Sequence, residues 1–199
     1  TGRKGTAMYK ISVHGLAAHA GLEPEKGVNA TVEIAHIILQ LSALENKEHG
    51  TTVVPTLLKS GNSANTVPDL AVLEIDARSF AQAELERIDA AIKTLKATLL
   101  GARLEVTGGL NRPPLQPSST KALYEKIEAV AKSIGMAPLG CAEVGGASDG
   151  NFAAAAGAQV LDGLGAIGGG AHAPSEWLSL KSIEERSSLL HAFIKDLLK

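Results

Sequence analysis

The chain has 199 residues, of which 45% are hydrophobic and 20% charged. That is enough apolar material for one large or two small packed domains, and too much for a disordered chain. A formal net charge of −2 and 3% aromatic residues give no electrostatic or stacking reason to expect a nucleic acid or an anionic membrane as partner. The longest uncharged apolar run of the second half, Phe152 to Leu161, is too short to span a bilayer. The single cysteine, Cys141, excludes an internal disulfide and suits a reducing compartment, without fixing the location. The first residue is Thr1 rather than Met, so the chain is expected to be a piece of something longer.

Gly5 to Gly15 reads as a strand, with Tyr9, Ile11 and Val13 on one face and Lys10, Ser12 and His14 on the other. A polar turn at Pro24 to Gly27 leads into a helix from about Asn29 to Leu44, on which Val32, Ala35, Ile38, Leu39 and Ser42 recur at helical spacing. Thr51 to Lys59 is a second strand, and Pro55 within it predicts an edge. Turn chemistry at Gly61-Asn62-Ser63-Ala64-Asn65 precedes a third strand, Leu70 to Arg78. A second helix is expected from about Ala83 to Leu100, with Leu85, Ile88, Ile92, Leu95 and Leu99 as its stripe, and Arg103 to Thr107 makes a fourth strand. This order, βαββαβ, predicts a ferredoxin-like sandwich whose open edge is commonly managed by pairing with another copy.

The proline-rich run Asn111 to Pro117 marks the boundary, dividing the chain into residues 1–111 and 112–199. Beyond it the pattern predicts a helix (about Ser119 to Ile134), a strand (Leu139 to Val144), a short helix (Asn151 to Ala156) and a strand (Gln159 to Leu164). A glycine loop and a last helix follow, the helix opening on the capping-box pattern Ser182-Ile183-Glu184-Glu185 and carrying Leu189, Leu190, Phe193, Ile194 and Leu197. Alternating helices and short apolar strands indicate an α/β layer, yet these strands are too few for a self-sufficient parallel sheet. The fold class is therefore mixed α/β (α+β), a ferredoxin-like domain followed by an incomplete α/β segment.

Two histidines stand out. His172 follows Gly168-Gly169-Gly170 and precedes Pro174, and His19 lies in the small-residue stretch Gly15 to Gly21. Both are placed as site groups or as solvated loop histidines, and neither has the local partners of an HExxH or CxxC metal motif. His14, His36, His49 and His191 fit ordinary surface or half-buried roles.

Several motifs occur in a telling order: Gly2-Arg3-Lys4-Gly5, Gly15 to Gly21 with His19, and Gly61 to Pro68 followed by Asp76-Ala77-Arg78. Arg112-Pro113, Gly145-Gly146-Ala147-Ser148-Asp149 and Gly170-Ala171-His172 complete the series. Together they resemble the co-catalytic zinc metallopeptidase family that includes glutamate carboxypeptidase, acetylornithine deacetylase and succinyl-diaminopimelate desuccinylase, with the strongest likeness to the glutamate carboxypeptidase branch. The resemblance covers essentially the whole chain. It implies a dimerising lid at residues 1–111 inserted into a catalytic domain, of which residues 112–199 are the C-terminal part. The remaining metal ligands would lie outside this sequence.

By that resemblance His172 is a zinc ligand in a two-zinc site, and His19 is a catalytic group that polarises the scissile carbonyl. Asn65 fixes that oxygen or the substrate, Arg112 clamps a substrate carboxylate, and Gly145, Gly146 and Ser148 line the substrate pocket. The substrate would be a small molecule or peptide with a free carboxylate, and the assembly a homodimer through the lid. Each residue also has a plainer role: a turn residue for Asn65, a surface charge for Arg112, and a helix N-cap for Asp149, which is preferred there. Neither Ser148 nor Cys141 has the His–acid partner pattern of a nucleophile. The implied reaction is hydrolysis of an amide next to a free carboxylate, with this stretch alone inactive. The alternatives are an N-acyl amino acid deacylase of the same family and a non-catalytic dimerising binding module.

Overall fold

The computed structural model describes all 199 residues. In chain order the elements are β1 (Gly2–Arg3), β2 (Gly5–His14), α1 (Ala30–Ser42), β3 (Thr52–Ser60), β4 (Leu70–Ser79), α2 (Gln82–Lys93), β5 (Arg103–Arg112), α3 (Lys121–Ser133), β6 (Glu143–Val144), α4 (Gly150–Ala155), β7 (Gly168–Gly169), β8 (Trp177–Leu178) and α5 (Leu180–Leu197). The chain forms two compact units. One comprises Arg3–Pro114 with Gly145–Ala147; the other comprises Thr1–Gly2, Leu115–Val144 and Ser148–Lys199.

The first unit is built on a four-stranded sheet of order β3-β4-β2-β5. Every pairing is antiparallel, and β2 runs in unbroken register with β4 from Gly5↔Ser79 to His14↔Leu70. Strict alternation sends Ala7, Tyr9, Ile11 and Val13 of β2 and Ala71, Leu73, Ile75 and Ala77 of β4 to one face. Helices α1 and α2 cover that face with Ile34, Ile37, Leu41, Leu85, Ile88 and Ile92. Full burial of each such isoleucine or leucine contributes about 1.5–3 kcal/mol relative to exposure. This is the ferredoxin-like arrangement expected from the element order. Pro55 lies on the edge strand β3, where its missing N–H costs no ladder bond in a central position, and the register slips just after it, between Pro55 and Leu57.

Three details differ from the sequence expectation. Helix α1 buries Ala30, Glu33, Ile34, Ile37 and Leu41, one step round from the anticipated stripe, and leaves Val32 and Leu39 exposed. Apolar residues occupy most of this helix surface, so periodicity alone does not fix its phase. Second, α2 stops at Lys93 rather than near Leu100; the Thr94 hydroxyl donates back to the Ala90 carbonyl at 2.8 Å. Leu95 still packs on the core from the segment that follows. Third, the last strand of the sheet continues to Arg112, so Asn111 and Arg112 belong to β5 rather than to a connector.

The buried carboxylate of Glu33 accounts for the phase of α1 and holds the segment that follows α2. It accepts the backbone N–H groups of Thr98 and Leu99 at 2.9 and 2.7 Å. A buried charge is tolerable only when so paired. Glu33→Gln removes one acceptor oxygen and buries an amide in its place. It should destabilise the protein by about 1–3 kcal/mol in chemical denaturation.

Glu84, on the first turn of α2, accepts from Arg87 at 2.9 and 2.8 Å and from the Thr51 hydroxyl at 3.1 Å. The Arg87 hydrogen bonds, with help from Thr51, hold its carboxyl down from an ordinary 4.5 to about 2. A lowered folded-state value means the contribution is complete above about 4.5 and is lost as the pH falls through about 2. Thermal melts of wild type and Glu84→Gln should therefore differ at pH 6 and converge on descending through this window.

In the second unit α3 packs on α5 through Ile127, Val130, Ala131, Leu189 and Phe193. Here the anticipated strands are largely missing. The stretch from Leu139 keeps strand character only at Glu143–Val144, and Gln159 to Leu164 forms no ladder. A strand exists only through its neighbours, and this one makes an isolated main-chain bond, from the Val160 N–H to the Ser119 carbonyl at 2.9 Å, in place of a ladder. Its side chains Leu161 and Leu164 still pack against the α3–α5 cluster.

The cap of α5 also moves. Ser179, not Ser182, is the N-cap, and its hydroxyl oxygen accepts the Ser182 N–H. Ser182 lies buried in the first turn, donating to the Ser179 carbonyl at 2.6 Å and accepting the Ile167 N–H at 2.9 Å. Of the expected apolar stripe only Leu189 and Phe193 are buried; Leu190, Ile194 and Leu197 are exposed, as are Leu180 and Ile183. No helix is long and apolar enough to cross a membrane.

Candidate functional site

His19 and Asn65 come from two long loops of the first unit, and a ladder of main-chain bonds ties the loops together. At the root, Gly15 N–H donates to the Asp69 carbonyl at 2.8 Å, and Leu16 and Val28 exchange bonds at 3.0 and 2.9 Å. Further out, Val67 N–H reaches the Ala18 carbonyl at 2.9 Å and Ala20 N–H reaches the Asn65 carbonyl at 2.9 Å, while His19 bridges Thr66. The tie fixes the spacing of two side chains 46 positions apart in the sequence numbering (65 minus 19).

Both side chains are exposed and oriented by local bonds. The Gly21 N–H donates to His19 Nδ1 at 3.1 Å, so the neutral ring carries its proton on Nε2, the outward nitrogen. Asn65 Oδ1 accepts from the Ser63 hydroxyl at 2.5 Å, which leaves the Nδ2 amide as its donor. A neutral imidazole N–H and a carboxamide N–H on facing loops make an arrangement suited to gripping a carbonyl oxygen.

Arg112 ends β5 beside a register shift, opposite Thr6. Its carbonyl, with the Pro114 nitrogen, lies where a side chain at Gly5 would sit, at 2.6 Å from an added Cβ. Gly145 and Gly146 also belong to the first unit, and guanidinium groups hold both carbonyls. Arg78 Nη1 donates to Gly145 O at 3.2 Å, and Arg3 Nη1 donates to Gly146 O at 2.8 Å. Arg78 is itself locked by Asp76, through Nε at 2.8 Å and Nη2 at 2.9 Å. These hydrogen bonds to Asp76 raise the guanidinium pKa further above its usual value. Sequence alone gives neither arginine a role. The one available signal is the Asp76-Ala77-Arg78 alternation, which puts opposite charges on one face of a strand.

Ser148 and His172 lie in the second unit. Ser148 donates a short hydrogen bond to Asp162, a residue that sequence reasoning misses, and its N–H reaches Asn151 Oδ1 at 2.9 Å. Asp149 occupies the N-cap position of α4 but its side chain makes no capping bond.

His172 is at the tip of a hairpin rather than on a free loop. Gly168 pairs with Leu178 and Gly169 with Trp177, and Ala173 N–H closes onto the Gly170 carbonyl at 2.9 Å. Gly168 is required here, because an added Cβ would stand 2.4 Å from the Trp177 carbonyl oxygen. His172 has φ +67°, the one residue other than glycine in the left-handed region. Such a backbone is sparsely populated for a residue with a Cβ, and it is found where a side chain must be presented in a fixed direction. The imidazole is a chemically suitable metal donor, but nowhere in the chain do three or more His, Cys, Asp or Glu gather to hold an ion.

Comparison with known proteins places this fold among peptidases and amidohydrolases. A family profile for the peptidase dimerisation domain matches residues 1–103. Carboxypeptidase G2 of Pseudomonas sp. (strain RS-16) is 33% identical over 204 residues, covering 98% of this chain and 48% of the relative. One component of the p-aminobenzoyl-glutamate hydrolase of Escherichia coli (strain K12) is 33% identical over 106 residues, covering 50% of this chain and 24% of the relative. The fold superposes on the aminopeptidase PepT structure from Bacillus cereus ATCC 10987 with a TM-score of 0.78 at 23% identity, over 100% of this chain and 53% of that one.

The chain belongs to the M20 peptidase family. Its members are generally metal-dependent enzymes, and this chain spans about half the length of the relatives it matches.

The loop tie yields a direct check. A Cβ added at Gly15 would stand 2.0 Å from the Val28 carbonyl oxygen, in backbone that has nowhere to move. Gly15→Ala should cost about 1–3 kcal/mol in denaturant unfolding. It should also broaden the His19 and Asn65 resonances, while leaving those of the second unit unchanged.

Proposed function

We propose that this chain is the lid and C-terminal catalytic segment of a dizinc hydrolase that cleaves an amide bond next to a free carboxylate, with a C-terminal glutamate or similar residue as the leaving group. The observation that carries the reading is the 33% identity to carboxypeptidase G2 over 98% of the chain. A carboxypeptidase acts beside a terminal carboxylate, and the name of the Escherichia coli hydrolase, p-aminobenzoyl-glutamate, describes an amide of glutamate.

In this reading His172 contributes one zinc ligand, and the others come from sequence outside these residues. A bound pair of zinc ions would supply a water of lowered pKa there. The chain's own groups bind and orient. His19 presents its Nε2–H, and Asn65 its Nδ2–H, to the carbonyl oxygen as negative charge builds there. Arg112 pairs with the substrate carboxylate, for which a planar guanidinium offers two parallel donors. The lid also pairs two copies of the protein, through the β3 edge or α1, a role in line with the dimerisation profile that it matches.

The test is an assay of the complete reading frame that contains these residues, using N-acyl-L-glutamates with and without a chelator. Chelator-sensitive release of glutamate is the expected result, and His19→Ala should lower kcat/KM by roughly 10²–10³ with unfolding unchanged. Residues 1–199 alone should bind zinc weakly and hydrolyse nothing; tight binding of two zinc ions by them would overturn the assignment of the absent ligands. A complete reading frame without upstream His, Asp and paired Glu ligands would instead establish a dimerising binding module.

A further inference from the structure

We propose that Arg3 and Arg78 are positioning residues that turn the Gly145-Gly146 main chain into a pair of outward amide donors for an anion. The inference rests on the functional reading above only for the identity of the anion, a substrate carboxylate. The geometry stands without it.

A trans peptide is planar, so the N–H of each unit points opposite to its C=O. The carbonyls of Gly145 and Gly146 are both turned onto guanidinium groups, at 3.2 and 2.8 Å. The N–H groups of the same two peptide units, those of Gly146 and Ala147, therefore face away from the arginines. No bond within the chain engages either of them. Neighbouring main-chain N–H groups held in parallel are a recurrent way of binding carboxylate or phosphate oxygens.

Glycine leaves this strip open. A Cβ at Gly145 would meet nothing within 4 Å, and one at Gly146 would meet only Arg3, at 3.7 Å. Strand β6, paired with β1, ends one residue before Gly145, and the Ser148 N–H is held by Asn151, so the two guanidinium groups act on the peptides between these anchors.

Arg78 is not a ligand in its own right. Its Nε and Nη2 are committed to the two oxygens of Asp76, and Nη1 is committed to Gly145. With its charge neutralised and its fork filled, it has orientation to offer rather than attraction. Asp76, Arg78 and Gly145 form one relay from a rigid strand, β4, to a segment with no secondary structure of its own.

The experiment uses ¹⁵N-labelled protein, wild type beside Arg78→Lys and Arg3→Lys, with Arg103→Lys as a control of equal charge. Lysine keeps the charge but cannot form the fork. Two quantities are read: the amide order parameters at Gly145–Ala147, and the affinity for N-acetyl-L-glutamate from the shifts of the Gly146 and Ala147 amides. Wild type and Arg103→Lys should show rigid values near 0.85, and the two positioning variants should fall below about 0.6. Affinity should weaken roughly tenfold in both, the usual scale for losing a group that orients a binding group.

Unchanged order and affinity in Arg78→Lys and Arg3→Lys would overturn the proposal, as would N-acetyl-L-glutamate that shifts neither amide in wild type. Should Arg78→Lys fail to fold, the half-buried Arg3 decides alone. A complete enzyme that hydrolyses no N-acyl-L-glutamate would sink the functional reading and leave these amide measurements standing.

Discussion

The placement of His19 and Asn65 depends on a ladder of main-chain hydrogen bonds between two loops. The loop carrying His19 and the loop carrying Asn65 have almost no buried apolar side chains of their own; Val67 is the exception. Their shape is set instead by backbone pairs from Gly15–Asp69 out to Ala20–Asn65. Loops held this way are stiff without a core, and they can present polar groups to solvent without burying anything to do so. The closeness of the approach at Gly15 and Val28 is what allows the ladder to begin.

The sheet beneath supplies the rigidity that the loops lack. Its inner face is a continuous aliphatic surface closed by two helices. Charged groups near that surface are paired: Asp89 takes the Tyr9 hydroxyl at 3.0 Å and Lys93 at 2.8 Å. Burial, aided by Asp89, pushes the Tyr9 hydroxyl pKa well above its usual value, so this tyrosine stays neutral and serves as a strut. The second unit is less complete in itself. Its α3–α5 cluster is small, its extended segment near Val160 makes an isolated main-chain bond in place of a ladder, and α5 shows a second apolar line to solvent. That imbalance between the units accompanies the half-length match to the relatives.

Much of the lid was readable from alternation alone, because β2 and β4 bury one clean face and Pro55 signals its edge position. The phase of α1 was not, since apolar residues cover most of its surface and its one polar line, Glu33, His36 and Gln40, includes a residue that is buried. Leu95 and Leu99 continue the helical spacing of α2 after the helix has ended, because spacing records which residues are apolar and not whether the backbone between them stays coiled. Gln159 to Leu164 has strand composition but no partner to pair with. His19 and His172 were visible as histidines among small residues, yet neither the proton on Nε2 nor the left-handed backbone at His172 is written in composition. The roles of Arg3 and Asp162 depend on tertiary partners that no local pattern announces, and for Arg78 the local pattern gives its pairing with Asp76 but not its bond to Gly145.

Glu33 has a consequence beyond its own burial. One carboxylate joins α1 to backbone 65 and 66 positions further along the chain. Neither piece can therefore breathe alone: fraying of the Thr98–Leu99 turn would strand a charge inside the protein, and unwinding of α1 would orphan two amides. Thermal agitation meets a single shared barrier where so irregular a connection would otherwise give two independent weak seams. Opening of the Thr98–Leu99 turn and unwinding of the first turns of α1 should accordingly occur as one event.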